Sequence, residues 1–431
     1  MSTSELNVEA DTSPPPRALW RTPDFGKYLV GYTASDFASQ IATVAIPLVA
    51  VLTVSASSFE VGVMRAVNQV PYLLFVLFLG VVVDQWRRRN MLVLADFGRA
   101  AALAVIPVVF AMDQLGIPTL YLVSFLVGVC TVLFDVGAQA YLPRLVERNQ
   151  LASGNSLMES LRSVSMIAGP ALGGIFVGWF SPPQALIVCV GFYLLSAVAI
   201  WLIRKPEPAP EPGEDSGGSA FAKIGEGFRL VFRHPILRSV VGIVALFNFA
   251  YAGYLAVYVV YLPAELKLSG YAIGLAFAAM GPGLLVGAML SSWLPKRFGY
   301  GLVLNTSAIL GAAVLLGVPA LRGNGAVTVG LLILLNFVNA ALSMTFTLSL
   351  VVIRQSVTPD QMLGRVTATH RFLGVGLGVP LGSLVGGFAG QLLGLRTGLL
   401  VLTVAMIVVS SLFLFTALRG IGRELPEAVE A

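Results

Sequence analysis

Apolar residues in this chain come in runs of about twenty, with brief polar breaks between them, and the runs follow one another along most of its length. Twelve segments stand out: 28–52, 60–83, 92–112, 119–141, 163–180, 184–203, 239–262, 271–293, 301–320, 326–350, 370–393 and 397–418. A bilayer core about 30 Å thick needs roughly 20 apolar residues per helix. Membrane β-strands would instead alternate apolar and polar residues over about ten positions, so helices are the expected spanning element. The pattern predicts an all-α membrane protein with twelve transmembrane helices.

Composition agrees with the pattern. Hydrophobic residues make up 57% of the chain and charged ones 11%, against about 25% charged in a soluble domain. Residues 1–22 are polar and Pro-rich and lack a short apolar stretch ending in a cleavage site, so the first helix is expected to be the membrane-targeting element. The longest break, 205–235, begins with alternating Pro and acidic residues and reads as a cytoplasmic linker. Its second part, from Phe221 to Arg233, alternates apolar and basic residues, as expected of an amphipathic helix on the membrane surface. The expected organisation is therefore a disordered tail (1–22), a six-helix bundle (23–204), the linker (205–235), a second six-helix bundle (236–419) and a tail (420–431).

The net charge of +5 raises the question of nucleic acid, but the charges follow the membrane. With residue 1 inside, 23 of the 27 Lys and Arg residues fall on the cytoplasmic side, leaving Arg65, Lys267, Arg322 and Arg396 outside. By the positive-inside rule both termini are expected to be cytoplasmic. Omitting any one span would destroy this contrast.

The two halves also match each other. Gly80 to Arg89 follows the second span and Gly287 to Arg297 the eighth, each running from a glycine through apolar-leaning residues to a basic turn. Pro143 to Leu151 and Arg354 to Met362 lead likewise from the fourth span of each half towards the fifth, about 210 residues apart. Two six-helix repeats imply a transporter whose site lies near the midplane between them.

These features resemble the major facilitator superfamily. Gly80, Asp84, Arg87, Arg88 and Arg89 resemble its signature between the second and third helices, and Asp96, Gly98 and Arg99 follow as in a bacterial branch of enterobactin-type siderophore and macrolide exporters. Pro47, Pro71, Phe134-Asp135-Val136, Tyr141-Leu142-Pro143, Gly154-Asn155, Gly364-Arg365-Val366 and Pro380 extend the similarity along the chain. The resemblance implies two pseudo-symmetric bundles, and a gating loop of Gly80, Asp84, Arg87, Arg88, Arg89, Asp96 and Arg99 in which Asp84 and Arg88 latch against the start of the eleventh helix. Gly169-Pro170-Ala171-Leu172-Gly173-Gly174 is similar to the fifth-helix signature of proton-coupled antiporters, although Ser165 replaces an upstream glycine. The fourth span lacks the buried Arg common in drug/proton antiporters, which excludes coupling through that residue.

An ionisable side chain within a bilayer costs at least ~2.5 kcal/mol and is by default a functional candidate. Asp36 and Asp135, at similar depth from the cytoplasmic side, are candidates for proton or substrate binding in one cavity, against an interfacial cap for Asp36 and an ion pair with Arg144, Arg148 or Arg162 for Asp135. Arg65 is expected to snorkel to the headgroups, with substrate contact as the alternative. Asn68, Gln69, Asn248, Asn336 and Asn339 suit either helix packing or a cavity wall. Tyr251, Tyr254 and Tyr258 are expected in the core, with an amphiphile pocket as the other reading. Small faces are formed by Gly374, Gly378, Gly382, Gly386 and Gly390 on the eleventh span, by Gly169, Pro170, Gly173, Gly174 and Gly178 on the fifth, and by Gly283 and Gly287 on the eighth. They are expected to be the surfaces on which the halves rock.

The expected function is proton-coupled efflux of a small amphiphilic substrate such as a drug, a macrolide-like compound or a siderophore, by a monomer that needs no cofactor. Uptake or exchange of a metabolite and a non-transporting scaffold are the alternatives. No GxxxxGK[ST] loop for ATP occurs, and no Ser/His, paired-Asp or metal constellation for an enzyme; Cys130 and Cys189 lie singly inside spans.

Overall fold

A computed structural model describes residues 22–75, 86–147, 150–207, 220–359 and 362–426, all helix and connecting turn without strand. The first half contains α1 (Pro23–Leu52), α2 (Ser58–Phe75), α3 (Arg88–Ala111), α4 (Ile117–Leu145), α5 (Leu151–Trp179) and α6 (Pro182–Trp201). After α7 (Ala220–Arg233) in the linker come α8 (Pro235–Ala264), α9 (Gly270–Ala278) continued by α10 (Met280–Phe298), α11 (Tyr300–Val314) continued by α12 (Gly317–Ala320), and α13 (Ala326–Val357). A π-helical segment (Phe372–Leu377) then joins α14 (Leu363–Arg371) to α15 (Gly378–Leu393), and α16 (Leu395–Ser411) closes the second half. Eleven helical stretches among the described residues are long and apolar enough to cross a bilayer. The expected twelfth crossing falls on α2, and its second part, 76–83, lies outside the described residues.

Neighbour relations repeat between the halves. In the first, α1 packs on α5 and α6, α3 on α4 and α6, and α2 on α4. In the second, α8 packs on α15 and α16, α11 on α13 and α16, and α10 on α13. The halves meet through two equivalent seams, α5 with α9 and α2 with α15. The face carrying residues 202–207 and 234–235 is called the linker face and the one carrying the 53–57, 180–181 and 265–269 connections the turn face.

Tandem glycines explain how one helix serves two neighbours. Successive residues on a helix point about 100° apart, so Gly173 and Gly174 face different partners. A methyl at Gly173 would lie 2.9 Å from the Ile41 carbonyl of α1, within the same half, whereas one at Gly174 would overlap the Gly274 backbone of α9, across the seam. Gly386 and Gly387 repeat this on α15: Gly386 meets Gly253 of α8, and a methyl on Gly387 would fall 2.5 Å from the Ser58 carbonyl of α2. Ser58 donates its hydroxyl to the Gly387 carbonyl at 2.9 Å.

The glycine expectation is thereby corrected. Gly374, Gly378, Gly382 and Gly386 face Asn248, Ala245, Phe249 and Gly253 of their own half, Gly169 faces Gln40, and Gly283 and Gly287 face Phe337 and Ala341. Of the expected set, Gly174 and Gly178 lie on a seam between halves, against Gly274 and Tyr271 of α9, and Gly390 touches both Val257 and Ser58. The other seam glycines are Gly62, Gly270, Gly274, Gly281 and Gly387. A spacing of four recognises a smooth face but carries no information about which neighbour covers it.

Several helices outlast their apolar runs. α5 starts twelve residues before the expected span at 163, because its linker-face part exposes Ser153, Asn155, Ser156 and Glu159 to water. Hydropathy measures the lipid-covered stretch, whereas the helix continues wherever its backbone bonds are kept. The linker helix α7 docks on the second half: Phe228 meets Phe372 edge to face at 6.1 Å, and Val231 is buried with Leu237, Val241, Val357 and Val366. His234 caps α8, its Nδ1 accepting the Leu237 N–H at 3.4 Å. Partial burial holds its imidazole pKa below the ordinary value, which keeps that acceptor lone pair free.

Candidate functional site

Tyr32, Ser35, Asp36, Ser39, Gln40 and Thr43 form a polar stripe on α1 at the three-and-four spacing of one helix face. The stripe borders two adjoining cavities of about 360 and 290 Å³. The larger, towards the linker face, also receives Gln69 and Tyr72 of α2, Arg99 of α3, Asp135 and Gln139 of α4, Arg162 of α5, and Arg371 and Val375 beside and within the π-helical segment. The smaller lies deeper and is bordered by Met64, Arg65, Asn68, Ser124, Tyr193 and Val379 among others. Ser39, Asn68, Gln69 and Thr131 line both.

One wall is a buried ion pair. Asp96 and Arg99 of α3 contact each other directly, with Arg99 only 1% exposed. Ser35 donates to Asp96 Oδ1 at 3.0 Å and accepts from Arg99 Nη2 at 2.8 Å, while Ser196 of α6 donates to Asp96 Oδ2. The Arg99 guanidinium sits between the rings of Phe134 and Tyr193, 4.4 and 4.5 Å from their centroids. These contacts join α1, α3, α4 and α6 around a charge that could not be buried alone. Asp96 and Arg99 were expected in a gating loop. Asp96 lies eight residues into α3, ~12 Å from its start at 1.5 Å per residue, inside the bundle.

Asp36 and Asp135 meet at the larger cavity, as their depth anticipated. Asp36 Oδ2 is buried without a hydrogen-bond partner, and Asp135 is exposed into the cavity. The expected ion pair for Asp135 does not form with Arg162, which pairs with Glu159 at 4.0 Å; Arg144 is exposed, and Arg148 lies outside the described residues. Arg65 does not snorkel outwards either: its side chain borders the inner cavity.

The asparagines divide. Asn336 donates to the Ala276 carbonyl at 2.9 Å and to Tyr258 Oη at 2.8 Å, and Asn339 to the Gly311 carbonyl at 2.9 Å, which makes both packing residues. Asn68 donates to the Ser124 carbonyl at 3.0 Å and lines the cavities as well. Asn248 is half-buried beside Gly374. Tyr251, Tyr254 and Tyr258 stack in a ladder, with centroids 6.4 and 5.4 Å apart.

Of the expected gating loop, Gly80 and Asp84 lie outside the described residues. Arg87 is the exposed residue before α3. Arg88 and Arg89 donate their backbone N–H groups to Glu207 at 2.9 and 3.3 Å, and Arg88 Nη1 lies 3.7 Å from the same carboxylate. Glu207 thus occupies the positive end of the α3 dipole, a contact that ties the start of the linker to the first half. Sequence reasoning did not single out Glu207, Ser35, Ser39, Gln40 or Tyr193; the polar stripe on α1 is the signal that marks three of them.

Two pseudo-equivalent bundles enclosing a polar cavity narrow the family, and the sequence decides it: residues 28–369 match the family model of the Major Facilitator Superfamily. The chain belongs to this superfamily. Among curated members, it is 24% identical to the multidrug efflux pump Tap of Mycolicibacterium fortuitum over 194 residues, 44% of this chain and about half of that one at 47%. It is also 24% identical to the enterobactin exporter EntS of Salmonella choleraesuis (strain SC-B67) over 331 residues, 75% of each chain. Among solved superfamily structures, a point mutant of the nucleoside transporter NupG superposes with a TM-score of 0.73 at 12% identity, covering 90% of this chain and 98% of NupG. A bacterial homologue of the iron transporter ferroportin, in an inward-facing state, gives 0.71 at 15% identity, covering 93% and 99%. At such identities the superpositions establish the fold alone. Membership makes the chain a multi-pass membrane protein of a transporter superfamily.

Proposed function

We propose that this superfamily member exports a small amphiphilic molecule from the cytoplasm of a bacterium in exchange for protons. The observation that carries the reading is the pair of carboxylates in one cavity, Asp36 with an unpartnered buried oxygen and Asp135 open to the cavity. A carboxylate kept from strong partners can bind and release a proton as its access changes. The exporter direction is supported by the similarity to Tap and EntS.

In this reading the linker face is cytoplasmic, both termini lie on that side, and the tight seams at Gly174/Gly274 and Gly62/Gly387 seal the turn face while substrate enters from the cytoplasm. Rocking of the halves then exposes the cavity to the outside, where a proton taken up by the carboxylates accompanies substrate release. On return the proton leaves to the cytoplasm.

The test uses inside-out vesicles energised to an acid lumen, with a macrolide and a catecholate siderophore as first test compounds. Addition of a transported compound should dissipate the acid gradient in vesicles carrying the wild-type chain, and Asp36→Asn should remove that response while the compound still binds. An Asp36→Asn/Asp135→Asn chain that dissipates the gradient as the wild type does would reject proton exchange through these carboxylates.

A further inference from the structure

The inner cavity contains a charge that the carboxylate mechanism leaves unused. Arg65 lies seven residues after the start of α2, roughly 10 Å along the helix from the turn face. Its side chain borders the 290 Å³ compartment with Thr43, Asn68, Gln69 and Tyr193. Glu60, the acid nearest in sequence, is engaged elsewhere: its Oε2 accepts from the Ser57 N–H at 2.8 Å and from the Ser57 hydroxyl at 2.9 Å.

Among the described residues no carboxylate lies within 4.0 Å of the Arg65 guanidinium. Two of the three arginines that border the larger cavity are matched by a carboxylate. Arg99 is neutralised by Asp96, and Arg162 lies against Glu159. A cation withdrawn from bulk water without a counter-ion is costly unless a ligand supplies one. A guanidinium also presents a planar fork of donors that fits an oxyanion through two parallel hydrogen bonds.

We infer that Arg65 is the subsite for an oxyanion group of the transported molecule, so the inner cavity takes an amphiphilic organic anion in preference to a purely cationic amphiphile. The aromatic edge of Tyr193 and the apolar side chains of Met64 and Val379 border the same compartment, and they accept the hydrophobic part. The inference rests on the cavity being the transport site and divides the compound classes left open by the efflux reading.

The test is equilibrium binding to the full chain in phosphatidylcholine nanodiscs, with two fluorescent amphiphiles of opposite charge, 8-anilinonaphthalene-1-sulfonate and rhodamine 6G. Empty discs give the lipid background. Arg65→Gln should weaken the sulfonate by about 10- to 100-fold, the factor carried by hydrogen bonds to a charged partner, whereas Arg65→Lys should retain much of the affinity. Rhodamine 6G should bind Arg65→Gln at least as well as the wild type. Equal losses for both dyes would make Arg65 a structural residue, and unchanged or absent sulfonate binding would also overturn the assignment. Displacement of the sulfonate by phosphatidylglycerol in the disc would transfer the site to a lipid headgroup. A wild-type chain that binds the sulfonate in an Arg65-dependent way but dissipates no proton gradient would sink the exporter reading and leave the subsite standing.

Discussion

Gly174→Ala tests the seam between the halves with a single methyl group. That methyl would overlap the Gly274 backbone of α9, a position no side-chain rotation can relieve. Inserting a methylene into a packed interface costs typically about 1–3 kcal/mol, and here the cost falls on the conformer that is sealed at the turn face. With RT near 0.59 kcal/mol, this is a population change of about 5- to 150-fold. A starting ratio of about ten to one for the sealed conformer would fall to between roughly two to one and one to fifteen. Gly173→Ala is the internal control, because its methyl meets Ile41 inside the first half and therefore strains a bundle without favouring either conformer. Spin labels at Ser156 of α5 and Trp293 of α10, both exposed, in a chain with Cys130 and Cys189 replaced, report the separation at the linker face by electron–electron double resonance. Gly174→Ala should add a shorter distance. An unchanged distribution, or the same shift in Gly173→Ala, would refute the assignment of the two glycines to different neighbours.

Two further outcomes follow from contacts within the halves. Asp96→Asn and Arg99→Gln each leave a buried partner uncompensated and should cost about 3–5 kcal/mol, while the double variant should cost less than the sum. Thermal unfolding in detergent, followed by tryptophan fluorescence, measures this, and additive losses would contradict a shared network. Phe228→Ala removes the ring that rests on Phe372, so trypsin should cut after Arg229 and Arg233 faster than in the wild type; equal rates would mean that α7 is held by other contacts.

The architecture was legible because hydropathy runs and their charge asymmetry report what the bilayer imposes on each helix separately. Neighbour choice was not, since it depends on a rotation of 100° that a spacing rule treats as equivalent. Gly386 and Gly387 differ by that one step, and one faces α8 while the other faces α2. The doublets Gly173-Gly174 and Gly386-Gly387, 213 residues apart, carried the missing information. Gly62 and Gly274, 212 apart, are their pseudo-equivalent partners. Depth alone brought Asp36 and Asp135 to one cavity. It also placed Arg65 near the membrane boundary while leaving its direction open, and the outward reading failed because a long side chain at the end of a helix can equally turn inward. Asp96 and Arg99 enter the gating loop only through the family resemblance, although both fall inside the apolar run 92–112, where Leu92, Ala95 and Leu103 around them are buried.

The π-helical segment at Phe372–Leu377 gives the eleventh crossing a property its glycines alone would not. A π turn accommodates one residue more than an α turn requires, and relaxing it to α register would rotate everything before it by about 100° relative to α15. Arg371 stands just ahead of that turn and Val375 within it, both on the cavity wall, while Val379 just past it borders the inner compartment. A local exchange of backbone hydrogen bonds would therefore swing a positive charge out of the cavity's entrance while leaving its floor in place. The seam at Gly387 would not need to slide.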